Sequence, residues 1–224
     1  KYGADNEKRG LYGEIGFPQN LYLVGTVNMD ETTFPFSKKV LDRANTIEFN
    51  YVDLIPAFDP SGEMPEKLQL PNSFLRSEYL LLSQCSDQAE YVTSVSIELK
   101  TINNILQKAN AHVGYRVRDE IVFYMLNNRN EGALLSHDAA FDNAIMQKIL
   151  PRIQGSSASV KDMLLELFKN SCGEYEQYSG DSDSEKMRKM LLDSSVNIKH
   201  KKCAEKLEMM VRRFEEDGFT SYWL

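Results

Sequence analysis

The 224-residue chain carries 33 acidic against 26 basic side chains, a net charge of −7, and is 42% hydrophobic. That balance argues against a strongly basic nucleic-acid-binding module, while the apolar content suffices for a core in one domain or two small ones. No apolar run approaches the roughly 20 residues of a membrane span and no apolar signal core opens the chain. Cys85, Cys172 and Cys203 are far apart and lack CxxC spacing, as expected of free thiols in a reducing, cytoplasmic setting.

Residues 1–19 are polar and hold Gly3, Gly10, Gly13 and Gly16, a loop-rich lead-in closed by Pro18. A strand is predicted over 20–28, where Leu21-Tyr22-Leu23-Val24 suits a buried position. A turn through Pro35 follows, then a helix over 38–44 that Ser37 can cap and Asn45 can end, then a second strand over 46–51. Four of the seven prolines, Pro56, Pro60, Pro65 and Pro71, lie in 52–72. This reads as an irregular linker and a domain boundary.

From 73 onward the pattern is helical. Val92, Val95, Leu99, Ile102, Ile105 and Leu106 recur at three- and four-residue spacing and predict a helix over about 88–110. Further helices are predicted over 116–129, 136–150, 159–171, 185–193 and about 199–216, with Gly218 as the final stop. Residues 173–184 (GEYEQYSGDSDS) read as an acidic, surface-exposed or disordered loop. Phe219, Tyr222 and Trp223 form an aromatic tail expected to dock on the core. The expected fold is mostly α: a strand-helix-strand segment (1–55), a proline-rich linker (56–72) and an all-helical bundle (73–224).

Three stretches resemble the AAA+ nucleoside triphosphatases of the McrB type, the motor subunits of modified-cytosine (5-methylcytosine-specific) DNA restriction systems. They are Gly25-Thr26-Val27-Asn28-Met29-Asp30-Glu31-Thr32-Thr33 with Ser37 to Asn45; Gly114-Tyr115-Arg116-Val117-Arg118-Asp119-Glu120-Ile121; and Asp217-Gly218-Phe219-Thr220-Ser221-Tyr222-Trp223. The resemblance implies that 1–55 is the end of a P-loop α/β core and that the bundle is the helical lid. It also implies GTP or ATP with Mg²⁺ as cofactor, a homo-oligomeric, hexameric ring, an McrC-like nuclease partner, and DNA engaged by the assembly rather than by this segment.

Two elements of such a motor are missing. None of the 12 glycines is followed by lysine, so no P-loop is present. Asp30-Glu31 follows Val27-Asn28-Met29 rather than an apolar run, so sensor 1 fits this stretch better than a Walker B motif does. A chain opening on Lys1 without these elements is expected to be the C-terminal half of the motor, inactive alone.

Within the resemblance, Asn28 is the sensor-1 residue. A neutral amide can donate and accept near a γ-phosphate without repelling it; a strand-end turn is the other use of an Asn there. Asp30 and Glu31 follow it, either as catalytic acids or as a solvated turn. The McrB-type pattern has an arginine where this sequence has Thr32, which places contacts with the nuclease partner in question. Arg43 is the arginine-finger candidate, reaching a neighbouring subunit's nucleotide with Asp42 to orient it, or else closing a salt bridge at a helix end. Arg116 is the sensor-2 candidate at a helix start, with Arg118 behind it; both also suit first-turn surface positions beside Asp119 and Glu120. Lys38, Lys39 and the Lys199-His200-Lys201-Lys202 run read as solvated polar helix positions. His112, His137 and His200 have no ligand spacing and read as surface or helix-end residues.

Two other functions fit the residues. One is a non-catalytic helical protein-interaction module; the other is a DNA-binding helical domain, which the acidic charge opposes.

Overall fold

Apolar side chains recur every three or four residues from Ala89 onward, and each run forms a helix whose apolar stripe faces a shared core. The computed structural model describes residues 16–18, 21–29, 34, 36–49, 54, 69, 71, 73, 76, 79 and 81–223. Its helices are α1 (Lys38–Leu41), α2 (Ala89–Gln107), α3 (Tyr115–Asn130), α4 (His137–Lys148), α5 (Ala158–Cys172), α6 (Asp183–Leu192) and α7 (Lys201–Asp217). Short 3₁₀ turns occupy Leu82–Gln88 and Leu150–Arg152. The fold is mostly α.

The chain divides into two compact units, residues 1–28 with 65–76 and residues 29–64 with 77–224. The second contains the bundle. There α7 packs on α4, α5 and α6, α2 packs on α3 and α5, and α3 packs on α4. Leu106, Ile121, Met125, Phe141, Leu164 and Phe168 are fully buried where these helices meet. Burial of each such side chain contributes about 2 kcal/mol.

Local chemistry sets several helix ends. Ser136 Oγ accepts from Ala139 N at 3.2 Å and starts α4; Ser182 Oγ accepts from Glu185 N at 3.2 Å and starts α6. Both satisfy first-turn amides that have no intrahelical partner. Gly218 ends α7 at φ 70°, a left-handed conformation that suits glycine.

Past Gly218 the chain turns back. Thr220–Ser221 (β2) pairs antiparallel with Gln154–Gly155 (β1), Gln154 opposite Ser221. This pairing delivers Tyr222 into the core, and Trp223 Nε1 donates to the Pro151 carbonyl at 3.1 Å. The tail docks as its composition predicts, but through a ladder that two-residue strands do not announce in sequence. In the acidic stretch 173–184, Tyr175 is buried, edge-on to Phe168 with centroids 5.5 Å apart. An aromatic ring fills a core gap there, so that part of the stretch is not a solvated loop.

The strands expected over 20–28 and 46–51 require correction. Residues 21–29 and 44–49 are irregular, and Leu23 and Val24 are 90% and 92% exposed. A strand persists only where a neighbour takes its N–H and C=O groups, and the described residues provide no such neighbour. The helix expected over 38–44 is shorter, Lys38–Leu41, and Ser37 caps it without a side-chain hydrogen bond.

Candidate functional site

The predicted site residues fall in different places. Asn28 is exposed on an irregular stretch of the first unit. Asp30 and Glu31 lie outside the described residues. Arg43, Arg116 and Arg118 belong to the second unit.

Arg43 follows α1, with its side chain exposed and its NH1 donating to the Lys39 carbonyl at 2.8 Å. Asp42 does not orient it. The Asp42 carboxylate is taken instead by Arg152, whose NH1 reaches Asp42 Oδ1 at ion-pair range but off hydrogen-bond alignment. Beside this pair, Lys148 Nζ donates to the Ala44 carbonyl at 3.0 Å and reaches the Asp42 carbonyl at 3.4 Å. Lys148 also pairs with Glu120 of α3.

Arg116 is exposed in the first turn of α3, after Gly114, and has no acidic partner among the described residues. Glu120 lies one turn further along the same helix face. The Lys148 knot thus joins the helix that carries Arg116 to the segment that carries Arg43. Arg118 is neutralised: it bonds Asp119 at 2.7–2.8 Å and lies over the Tyr115 ring at 4.7 Å.

Further along, the segment carrying Arg43 continues against the bundle. Thr46 N donates to the Gln147 carbonyl at 3.2 Å, and Lys206 Nζ of α7 bonds Glu48 at 2.6 Å while lying 4.3 Å over the Tyr222 ring. Burial pulls the Lys206 ammonium below its ordinary range, and the Glu48 bond opposes that. Lys148 and Lys206, 4% and 5% exposed, were not singled out from sequence. The signal was there: each lysine falls on its helix's apolar stripe, Lys148 after Ile145 and Lys206 between Cys203 and Met210.

A second polar cluster joins α2, α4 and the approach to α7. His137 Nε2 meets Glu98 at 2.8 Å, His137 Nδ1 meets the Tyr91 hydroxyl at 3.2 Å, and Lys199 Nζ bonds Glu98 at 3.0 Å. Burial raises the Glu98 carboxyl, but its bonds to Lys199 and His137 outweigh that and leave it below the usual range. Next to it, His200 is 2% exposed, and neither ring nitrogen has a partner among the described residues. Burial and the Lys199 charge lower its pKa, against Asp142, Asp138 and Glu98.

The sign follows. The unfolded imidazole takes a proton near its ordinary 6.5 before the folded one does, so stability is full above that pH and falls as the pH drops toward the folded value. Urea midpoints measured between pH 7.5 and 5 should show this loss, and His200→Phe should flatten it. An unchanged slope in His200→Phe assigns the loss to other groups.

Among the described residues no group of three or more His, Cys, Asp or Glu side chains is placed to hold a metal ion. No Gly-Lys-Ser/Thr phosphate-binding motif occurs in the sequence. No described helix is long and apolar enough to cross a membrane. No curated protein and no solved structure matches the chain. The model of one family, described as Domain of unknown function (DUF8727), matches residues 64–219, which take in all the helices from α2 to α7. The chain belongs to the DUF8727 family.

Proposed function

We propose that this chain is the sensor-and-lid half of an McrB-type AAA+ motor, with GTP or ATP and Mg²⁺ held by elements outside this sequence. The motor works in the cytoplasm as a homo-oligomeric, hexameric ring and drives DNA translocation for an McrC-like nuclease subunit. One observation carries the reading. Leu23 and Val24, and Ile47 with Phe49, have the composition of buried strands yet stand exposed without ladder partners. Such residues suit a sheet covered on both faces, and the described residues of this chain do not supply it. Within that motor Asn28 serves as the sensor-1 residue, Arg43 faces a neighbouring subunit, and Arg116 faces the nucleotide of its own.

The test is GTP and ATP turnover by the intact protein with Mg²⁺. Arg116→Ala, which loses a charge-assisted hydrogen bond to phosphate, should weaken nucleotide binding about tenfold while leaving the thermal midpoint unchanged. An intact protein with no Gly-Lys-Ser/Thr and no turnover sinks the reading.

A helical protein-interaction module is the second reading, favoured by the bounds of the family match. Residues 64–219 contain the bundle and leave out 20–49, as they would if the bundle were a unit in its own right. It prevails if the chain captures a protein partner and nucleotide turnover ignores Arg43.

A further inference from the structure

The contact between the bundle and residues 36–49 differs from the rest of the interior. Three cations of the bundle converge on this segment: Lys148 at the end of α4, Arg152 in the following 3₁₀ turn and Lys206 on α7. All are nearly withdrawn from water. The segment answers with the Asp42 carboxylate, the Asp42 and Ala44 carbonyls, and, six residues beyond Asp42, the Glu48 carboxylate, which also lies beside the Tyr222 hydroxyl. Thr46 N–H adds a backbone bond to Gln147, and Phe36 meets Trp223 edge-on with centroids 5.8 Å apart.

What the segment buries is mostly polar. Thr46 and Glu48 are half-buried while the alternate Ile47 and Phe49 point outward, 67% and 87% exposed. Leu41 is the segment's one buried apolar side chain among the described residues. Large apolar burial therefore does little to hold it, yet its departure takes the carboxylates from Arg152 and Lys206 and the backbone carbonyls from Lys148, which keeps Glu120, and stripping partners from cations so withdrawn from water is unfavourable. Such a groove needs an occupant, and this occupant is held by bonds that another peptide of the same chemistry can reproduce. The family match adds an independent point. Lys148, Arg152 and Lys206 fall within residues 64–219, whereas 36–49 falls outside. The three cations thus lie in the family's shared segment and residues 36–49 do not.

We propose that the helical bundle carries a binding groove for an extended peptide with two carboxylates six residues apart, and that the chain's own residues 36–49 are its tethered, displaceable ligand. The proposal does not depend on the nucleotide reading. Under that reading it adds a consequence: occupancy of the groove fixes the position of Arg43.

The experiment uses the full chain and a fluorescent 14-residue peptide copying residues 36–49. Tethering holds the native segment at a high effective concentration, so wild-type chain should bind the free peptide poorly. In the D42N/E48Q chain the tether no longer competes, and the peptide should bind at least about tenfold more tightly. Added salt should weaken that binding. A peptide carrying the same two neutral replacements should bind neither chain; because the change is then in the peptide, this control is independent of protein folding. Hydrogen exchange at the Thr46 amide should also accelerate in D42N/E48Q. Equal binding of the two peptides, failure of the charged peptide to bind D42N/E48Q, or unchanged Thr46 exchange in that variant overturns the proposal.

Discussion

Asp142→Ala should lower the stability of the bundle by about 3 kcal/mol, which for a domain of this size is a fall of roughly 10 °C in thermal midpoint. Asp142 stands on α4 but works on α7. Its two carboxylate oxygens accept from Lys202 N at 2.8 Å and Cys203 N at 2.9 Å, the open amides of the first turn of α7. His200 precedes that turn and offers no side-chain cap, so the cap comes from another helix. A carboxylate there also meets the positive end of the helix dipole. Because Asp142 is buried, alanine leaves amides that water cannot easily reach, and the full desolvation cost appears. Asp142→Asn keeps one good acceptor and should lose about half as much. Equal thermal midpoints for wild type and Asp142→Ala would show that the first turn of α7 is satisfied in another way.

On the proposed motor reading, Arg43→Ala in the intact protein should cut nucleotide turnover by about 10³-fold or more, the scale of an arginine acting on a transferring phosphoryl group. The stability of the bundle should not change, because the Arg43 side chain is exposed and, among the described residues, bonds only the Lys39 carbonyl of its own short helix. Arg43→Lys should recover little, since an ammonium lacks the planar, forked donor set. Mixing Arg43→Ala subunits with subunits defective in nucleotide binding distinguishes the roles. A residue acting across an interface restores partial turnover in the mixture, whereas one acting within its own subunit does not. Full activity of Arg43→Ala hands the chain to the interaction-module reading, and Arg43 then counts as a solvated helix end.

The ionic knot bears on both experiments. Lys148 ties the Asp42–Ala44 backbone to Glu120 of α3, and Arg152 holds the Asp42 carboxylate. Changes at Asp42 therefore move the Arg43 backbone, whereas a change at Arg43 itself leaves the knot alone. For that reason Arg43→Ala tests the side chain and not its support.

The long helices were legible in the residues. In α2, Val95, Leu99, Ile102 and Leu106 are spaced three or four apart, and all four are buried. In α7 the stripe from Leu207 through Met210 and Val211 is buried, and Gly218 closes the helix where a left-handed residue is needed. Periodicity and capping are local properties, so a stretch of sequence carries them whole. That is why the mostly α fold, the helix order and the docking of Tyr222 could be stated without coordinates.

The functional geometry was less legible, because it depends on which distant residues meet. Adjacency in sequence pairs Asp42 with Arg43, and the fold gives it to Arg152, 110 positions away. The sequence predicts a surface or helix-end position for His200, which does precede α7 but lies buried beside Phe141. Leu21 to Val24 has strand chemistry, but a strand is a property of a pair, and its partner is not among the described residues. The helices, their ends and their apolar faces are set locally, since hydrophobic spacing and capping act within a few residues. The convergence of Lys148, Arg152 and Lys206 on residues 42–48 is set by the assembled fold, because burying a charge is tolerable only where its partner arrives, and that partner comes from far along the chain.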